Sequence, residues 1–316
     1  MLVATSASAD APLALRELPS RVLSPVEVRI RVRAIGVNPV DWKMRAGGPL
    51  RMAHRFLGPS GPLVVGVDFA GEVSEVGSGV SELAVGARVV GGTNFSRKQL
   101  GSYADEVVVR PDQCAVLPAS VDFERAACLP VAAVTPWISL TEHTKIGPGD
   151  RVLVLGASGG VGLMALALTK KLGAKAVGVC SGRNVATVEA IGATAVDYTK
   201  GDALDEAATH GPYDLVMHAV GSDLYPLSRC RALLSDKGIV DLAVVRPADV
   251  FGILFSRQVR TVLGEVTRAR LEPLVDALAK GELAPIIQER IPLADAERAH
   301  QLSKAGKVVG KLLLIP

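Results

Sequence analysis

Residues 151–173 read RVLVLGASGGVGLMALALTKKLG, and this stretch decides the fold. The apolar run RVLVL leads into four glycines within residues 156–162, and a helical pattern ending in glycine follows. A second strand pattern, AVGVCS, then begins at residue 176. A glycine loop between a strand and a helix, with a second strand beyond, is typical of a dinucleotide site, whereas a glycine triplet alone also fits an ordinary tight turn.

Each glycine of the loop has a distinct expected role. Gly156 permits the tight turn, and Gly159 and Gly160 let the backbone approach a pyrophosphate. Gly162 lets the helix pack closely on the strand, and the free N–H groups at the helix N-terminus attract phosphate. We expect the whole loop to contact the cofactor, namely Gly156, Ala157, Ser158, Gly159, Gly160, Val161 and Gly162.

The end of the second strand indicates which dinucleotide binds. An NAD site places Asp or Glu there for the ribose hydroxyls, but this chain reads CSGRN at 180–184, without a carboxylate. A serine hydroxyl and a guanidinium suit a ribose phosphate instead. Ser181 and Arg183 therefore favour NADPH over NADH, the alternative being that Arg183 is a solvated surface residue.

The chain changes character at about residue 120. Before it lie short β-rich segments separated by glycine and proline, such as VEVRIRVRAIGV at 26–37 and GARVVGG at 86–92. Such segments are typical of an antiparallel barrel or sandwich. From residue 121 apolar strands alternate with helices, which predicts a parallel, doubly wound sheet. After residue 268 we expect two helices and a closing strand that return to the first domain.

Composition excludes several classes of protein. The 316 residues are 49% hydrophobic and 21% charged, as in a soluble globular chain. No window offers the roughly 18 apolar residues of a membrane span, and the first ten residues lack the features of a signal peptide. Four cysteines without C-x-x-C spacing fit the cytoplasm. A net charge of +3 without blocks of like charge makes nucleic acid an unexpected partner.

Further motifs, taken in order, resemble one family over nearly the whole chain. The family is the zinc-free quinone oxidoreductase (zeta-crystallin-like) branch of the medium-chain dehydrogenase/reductase superfamily. Besides GARVVGG and the glycine loop, the motifs are IGVNPVDWKMRAG at 35–47, GVDFAGEVSEVGSGV at 66–80, GATAVDY at 192–198 and GKLLLIP at 310–316. No single motif is specific on its own.

The resemblance implies an α/β chain of two domains with the active site in the cleft. A GroES-like β-barrel domain would comprise residues 1–120 and 268–316. A Rossmann domain with a doubly wound parallel sheet, residues 121–267, would be inserted between them and would bind NADPH. Members of this branch are commonly homodimers.

The resemblance also implies further cofactor residues. A tyrosine after the third strand of the Rossmann sheet helps to hold the ribose phosphate, and Tyr198 occupies that place, unless it only packs. Thr135 resembles the family position that approaches the nicotinamide. We expect Val220 and Gly221, after the strand pattern DLVMHAV, to contact the cofactor as well.

Zinc is not expected in this chain. The metal-binding relatives carry a cysteine where this chain has Asn38, and a G-H-E motif where it reads Gly66, Val67 and Asp68. They also carry a closely spaced lobe of cysteines, which is missing here. A catalytic zinc needs three protein ligands and an open position, and the five histidines show no ligand spacing.

Without a metal, the cofactor supplies the chemistry and the protein supplies orientation and electrostatics. Hydride transfer to a conjugated acceptor leaves charge on a distant oxygen, which a hydrogen-bond donor must stabilise. The resemblance makes Asn38 the first candidate donor and Lys43 the second, with an ordinary surface lysine as the equal alternative. Enoyl-thioester reductases of similar build often have a tyrosine that is absent from RAGGPLRMAH at 45–54, so the proton donor stays unassigned.

Three functions remain open at this point. The leading one is an NADPH-dependent reductase of quinones or other conjugated carbonyls. The second is an enoyl reductase of a biosynthetic pathway. The third is a protein that binds NADPH with little turnover, because the loop and the phosphate-site residues report cofactor binding and not catalysis.

Overall fold

A computed structural model describes residues 1–6, 11–262 and 264–316. The strands in chain order are β1 Leu2–Thr5, β2 Ala14–Glu17, β3 Val28–Gly36, β4 Asp68–Val76, β5 Arg88–Gly92, β6 Glu106–Val109, β7 Cys114–Val116, β8 Arg151–Leu155, β9 Lys175–Cys180, β10 Thr194–Asp197, β11 Tyr213–His218, β12 Leu234–Leu242, β13 Val259–Thr261, β14 Ile287–Pro292 and β15 Lys311–Ile315. The helices are α1 Pro39–Ala46, α2 Gly48–Leu57, α3 Phe123–Ala127, α4 Pro130–Trp137, α5 Gly160–Lys171, α6 Val185–Ala190, α7 Ala203–Ala208, α8 Leu227–Ala232, α9 Asp249–Phe255, α10 Arg268–Ala279 and α11 Ala296–Lys304. Two compact units result: unit 1, Met1–Val131 with Glu265–Pro316, and unit 2, Ala132–Gly264.

Unit 1 is built on a seven-stranded sheet. Its order is β14-β15-β3-β4-β5-β7, with β6 paired to β3 outside this path. The pairs are antiparallel except β14 with β15. In β3 the alternation expected from the sequence is present, since Val28, Ile30 and Val32 are buried, while Arg31 and Arg33, which follow Ile30 and Val32, are exposed. This period of two places the arginines on one face of the strand and the core on the other.

The topology of unit 1 brings three chain segments to one end of the sheet. Strand β3 ends at Gly36, opposite Leu313 of the antiparallel strand β15. Strand β4 begins at Asp68 on the other side of β3, to which it is also antiparallel. The residues after β3 therefore lie beside the first residues of β4 and β15, although these are far apart in sequence.

Unit 2 contains a six-stranded parallel sheet with the order β10-β9-β8-β11-β12-β13. Counted from the first strand of the unit, this is the order 3-2-1-4-5-6 of the Rossmann fold. The predicted α/β class is confirmed, with the expected parallel sheet in unit 2 and a largely antiparallel sheet in unit 1. The last strand of this sheet, β13, is short and covers only Val259–Thr261.

Two general properties of the chain follow from the described residues. No helix among them has the length and apolar character that a membrane span requires. The four cysteines, Cys114, Cys128, Cys180 and Cys230, are free and buried. Burial raises the pKa of Cys114 to about 12, so this thiol stays protonated at neutral pH.

Candidate active site and cofactor site

The glycine loop of unit 2 turns sharply between β8 and α5. Gly156 has φ +90°, a left-handed conformation that L side chains rarely adopt. A Cβ at Gly156 would lie 2.6 Å from Cγ1 of Val220, and one at Gly162 would collide with the carbonyl oxygen of Gly156. Glycine at these two positions is therefore required by the packing of the loop itself.

Gly159 is different, because protein packing does not require a glycine there. A Cβ at this position would meet only the carbonyl oxygen of Gly156, at the ordinary distance of 3.6 Å. The residue is the N-cap of α5, whose first N–H groups have no partner within the helix. The bare backbone and free N–H groups fit a diphosphate, so the loop is suited to hold a dinucleotide.

The residues expected to select the cofactor lie together at the carboxyl ends of β9 and β10. The N–H of Tyr198 donates to the carbonyl oxygen of Cys180 at 3.1 Å, which places Tyr198 beside the start of the segment that carries Ser181 and Arg183. The Tyr198 side chain is 51% exposed. Ser181, Arg183 and Tyr198 thus form one surface edge, which we call the phosphate edge.

A carboxylate that the sequence did not indicate lies at this edge. Strand β9 ends without one, but Asp197 of β10 is paired in register with Cys180. Its Oδ1 accepts hydrogen bonds from the N–H of Thr199 at 3.0 Å and the hydroxyl of Thr199 at 2.7 Å. These hydrogen bonds hold the pKa of Asp197 below its usual range, so the group is ionised at neutral pH. Its position follows from the register of β10 against β9, which pairs Asp197 with Cys180.

The segment after β11 lies at the point where the strand order reverses, between β8 and β11. Val220 packs on Gly156 there, and Gly221 has φ +125°. The N–H of Gly221 donates to Nδ1 of His218 at 3.3 Å, while Nε2 of His218 contacts the carbonyl oxygen of Tyr225 at 2.9 Å. His218 is fully buried and shapes this turn. Thr135, the remaining cofactor candidate, lies half-buried in α4.

Asn38 of unit 1 lies in a buried polar group with Asp68 and Lys311. Lys311 Nζ donates to Asn38 Oδ1 at 2.6 Å and to Asp68 Oδ2 at 3.0 Å. Asp68 Oδ1 accepts the N–H of Val131 at 3.0 Å. The exposed fractions of Asn38, Asp68 and Lys311 are 3%, 0% and 3%. An ion pair removed from water to this degree needs such additional hydrogen bonds to be tolerated.

Asp41, three residues along, is joined to the same group through the backbone. Its Oδ2 accepts the N–H of Asn38 at 2.8 Å and the hydroxyl of Tyr103 at 3.2 Å. Burial, reinforced by the neighbouring Asp68, raises the pKa of Asp41 to about 7. Near neutral pH this carboxyl group is thus partly protonated, although its place in a helical first turn favours the charged form.

Lys43, the second donor candidate, follows on α1. Its ammonium lies 5.6 Å from the centroid of the Trp42 ring, and that of Lys304 lies 5.9 Å from the same ring. Both distances fall within the roughly 6 Å of a cation–π contact. Sequence reasoning named Asn38 and missed Lys311, because the two residues are 273 positions apart.

Two family profiles match the chain. One, described as the alcohol dehydrogenase GroES-like domain, covers residues 24–119. The other, described as zinc-binding dehydrogenase, covers residues 191–314. The first lies within unit 1, and the second runs from unit 2 into the C-terminal part of unit 1.

Curated relatives align with nearly the full length of the chain. A chloroplast envelope quinone oxidoreductase homolog of Arabidopsis thaliana is 33% identical, with 92% of this chain and 90% of the relative covered. Quinone oxidoreductase 1 of Escherichia coli is 30% identical, with 92% and 91% covered. A trans-enoyl reductase of Aspergillus terreus is 28% identical, with 92% and 87% covered.

Solved structures of quinone oxidoreductases are also similar to this chain over nearly its full length. The quinone oxidoreductase of Coxiella burnetii superposes with a TM-score of 0.88 at 28% identity, covering 100% of this chain and 98% of the other. The Escherichia coli quinone oxidoreductase complexed with NADPH superposes with a TM-score of 0.82 at 27% identity, covering 100% and 99%.

The residues present do not fit the zinc that the second profile's description implies. Among the described residues, no three His, Cys, Asp or Glu side chains are grouped so that they can hold a metal ion. Asn38 Oδ1 and Asp68 Oδ2 both accept hydrogen bonds from the Lys311 ammonium, so a cation already occupies the space that they face. These residues therefore cannot serve as ligands of a catalytic zinc at this position.

Proposed function

Because the chain belongs to the medium-chain dehydrogenase/reductase superfamily, in its quinone oxidoreductase branch, we propose that it uses NADPH to reduce a quinone or another conjugated carbonyl compound directly, without zinc. An NAD(P)H oxidoreductase activity is what this membership establishes. Our proposal adds three points to this activity: the choice of NADPH, the class of acceptor and the catalytic residues. Residues 121–267 would bind the cofactor, and residues 1–120 with 268–316 would supply the catalytic side chains.

The phosphate edge supports the choice of NADPH. Ser181 and Arg183 offer a hydroxyl and a guanidinium at the end of β9, and the half-exposed Tyr198 offers a second hydroxyl beside them. Charge-assisted hydrogen bonds from a guanidinium are among the stronger contacts to phosphate. Oδ1 of Asp197 accepts two hydrogen bonds from Thr199, and Oδ2 lies 3.9 Å from the Lys200 ammonium. Because both oxygens already have partners, this carboxylate is a weaker acceptor for ribose hydroxyls than the unpaired acid of an NAD site.

Asn38 is the proposed donor to the acceptor oxygen. When bound, NADPH supplies a hydride, and a conjugated acceptor that receives it develops negative charge on its carbonyl oxygen. The Asn38 amide is shielded from water, where a hydrogen bond to such an oxygen is stronger than in bulk solvent. Lys43, on the surface of α1, stays the second candidate.

The observation that carries this proposal is the phosphate edge in a Rossmann sheet next to an intact glycine loop. The test is consumption of NADPH and of NADH with a panel of 1,4-quinones, enones and enoyl thioesters. We expect the highest kcat/KM with NADPH and a quinone or enone. A preference for NADH, or turnover confined to saturated aldehydes and alcohols, would overturn the proposal.

Reduction of an enoyl thioester is the second candidate function. It is favoured by the similarity to the trans-enoyl reductase of Aspergillus terreus, 28% identical over 92% of this chain. Against this candidate, residues 45–54 contain no tyrosine that could act as the proton donor. These residues form the end of α1 and most of α2. In the same panel, turnover restricted to enoyl thioesters identifies this activity.

We also infer that two copies of the chain pair through the edge of unit 2. Strand β13 ends the parallel sheet, and α9 packs beside it with four apolar side chains exposed. Their exposed fractions are 47% for Val250, 73% for Phe251, 70% for Leu254 and 73% for Phe255. A second copy would cover this surface and continue the sheet across β13. Sedimentation should give a dimer that Phe251→Glu converts to a monomer; an unchanged mass would contradict the inference.

A further inference from the structure

All three N–H groups of the Lys311 ammonium donate hydrogen bonds within unit 1. A lysine ammonium has three N–H groups and no acceptor. They go to the carbonyl oxygen of Val37 at 3.0 Å, to Asn38 Oδ1 at 2.6 Å and to Asp68 Oδ2 at 3.0 Å. Lys311 is therefore fully coordinated by the protein and is not itself a donor to a substrate.

This coordination fixes which way the Asn38 amide points. An ammonium can only donate, so the amide oxygen must face it and the NH₂ group must face away. One N–H of that group points to the carbonyl oxygen of Gly36, at 3.3 Å. Within the described part of the chain, the second N–H has no acceptor, which leaves one donor for an incoming oxygen.

The charge of Lys311 also acts on the strength of that donor. A short hydrogen bond from an ammonium to the amide oxygen draws electron density from the NH₂ group, because hydrogen bonds in a chain polarise one another. The contact is 2.6 Å long and shielded from water, so solvent screens it little. The amide becomes a better donor without any change in its own chemistry.

The backbone holds Lys311 rigidly in this position. Its N–H donates to the carbonyl oxygen of Ile286 at 2.9 Å, and it is the first residue of β15, between β14 and β3. Asp68 balances its charge, and the N–H of Val131 satisfies the second oxygen of Asp68. A site on strand ends supported in this way is preorganised before any ligand arrives.

We propose that Lys311 is a positioning residue for reduction: it orients the Asn38 amide toward the acceptor oxygen and strengthens its free N–H as a hydrogen-bond donor. This inference rests on the proposed function, in which Asn38 touches the acceptor. Lys311 should therefore affect the rate of hydride transfer. It should not affect cofactor binding, because the proposed cofactor residues lie in unit 2.

The test is a double-mutant cycle on the single-turnover rate of NADPH oxidation. Lys311→Gln combined with Asp68→Asn removes both charges together and leaves no unpaired ion, and this pair of changes is made with and without Asn38→Ala. With Asn38 present, we expect the rate to fall about tenfold. In the Asn38→Ala background, the same pair should cause no further loss, while it lowers Tm in both.

Two controls separate positioning from general destabilisation. Val107→Ala removes volume from a buried position of strand β6 in the same unit and should lower Tm without slowing hydride transfer. If the Lys311/Asp68 pair does not fold, Lys311→Arg keeps the charge and should retain most of the rate. An equal loss of rate in both Asn38 backgrounds, or none in either, would overturn the inference. Failure of the proposed function is recognised separately, by an unchanged rate in Asn38→Ala alone.

Discussion

Asp197 is paired in register with Cys180 across the parallel strands β10 and β9, which places its carboxylate beside Gly182. A negative charge therefore lies close to Ser181 and Arg183, the residues proposed to hold a ribose phosphate. Thr199 keeps the pKa of Asp197 low, so the charge persists at neutral pH. In the proposed site, selectivity for NADPH requires that the attraction of the ribose phosphate to Arg183 exceed its repulsion by Asp197.

Asp197→Asn should strengthen binding of NADPH. The amide oxygen can still accept from Thr199, while the repulsion of the ribose phosphate disappears. We expect the Kd for NADPH to fall several-fold and the Kd for NADH to change little, as measured by fluorescence titration. Asp205→Asn, an exposed carboxylate of the same unit, is the matched control. An equal change for both cofactors would exclude a specific effect on the phosphate.

Arg183→Glu should reverse the cofactor preference. The change removes a guanidinium and adds a repelling carboxylate, so the Kd for NADPH should rise on the order of 10- to 100-fold. NADH lacks the phosphate and should bind nearly as before. The ratio of kcat/KM values with the two cofactors measures this, with Arg231→Glu, an exposed arginine of α8, as the control. An unchanged ratio would remove Arg183 from the site.

Asn38→Ala should slow reduction without weakening cofactor binding. Loss of one donor to a developing oxyanion lowers kcat on the order of 100-fold. The Kd for NADPH should stay within about twofold, because Asn38 belongs to unit 1. Asn94→Ala, which removes an amide elsewhere in unit 1, should leave kcat intact. A variant with normal kcat would place the donor elsewhere.

Asp41→Asn should stabilise the protein at neutral and higher pH. The folded-state pKa is raised from 3.8 to about 7, so the folded protein binds more protons than the unfolded chain between these values. Wild-type stability is thus reduced as pH rises through this window, by roughly 1.4 kcal/mol for each pKa unit. The variant has no carboxyl group to titrate at this position. In denaturant unfolding, its free energy of unfolding should exceed that of wild type by a margin that grows from about pH 4 to pH 7 and then stays constant.

The variant and the wild type must be compared at the same pH, because the titration of His300 changes the free energy of unfolding with the opposite pH dependence. Burial, with Arg45 adding to it, lowers the pKa of His300 to about 4, so this group destabilises the folded state as pH falls below its ordinary value of 6.5. Asp236→Asn, at an exposed position, should follow the wild-type curve. An Asp41→Asn curve parallel to wild type would show that Asp41 is charged in the folded state.

The sequence predicts the local features of this chain well. The alternation of apolar strands and helices after residue 121 predicted the parallel sheet, because buried parallel strands read as apolar runs. The spacing of glycines in 156–162 predicted the loop, since the strand and helix that it joins are adjacent in sequence.

Contacts between distant segments were beyond sequence reasoning. Lys311 meets Asn38 and Asp68 only because β15 and β4 lie on either side of β3, and no local pattern encodes that order. The position of Asp197 depends on the register of β10 against β9. The raised pKa of Asp41 results from complete burial, whereas a single aspartate in a first helical turn reads as an ordinary capping residue.

We propose that this chain reduces a conjugated carbonyl by direct hydride transfer from NADPH, and that side chains rather than a metal stabilise the charge that develops on the acceptor oxygen. The most direct test is NADPH oxidation with a 1,4-quinone before and after exhaustive treatment with a zinc chelator. We expect the same kcat and KM in both preparations. Loss of turnover on chelation, with recovery when zinc is restored, would contradict it.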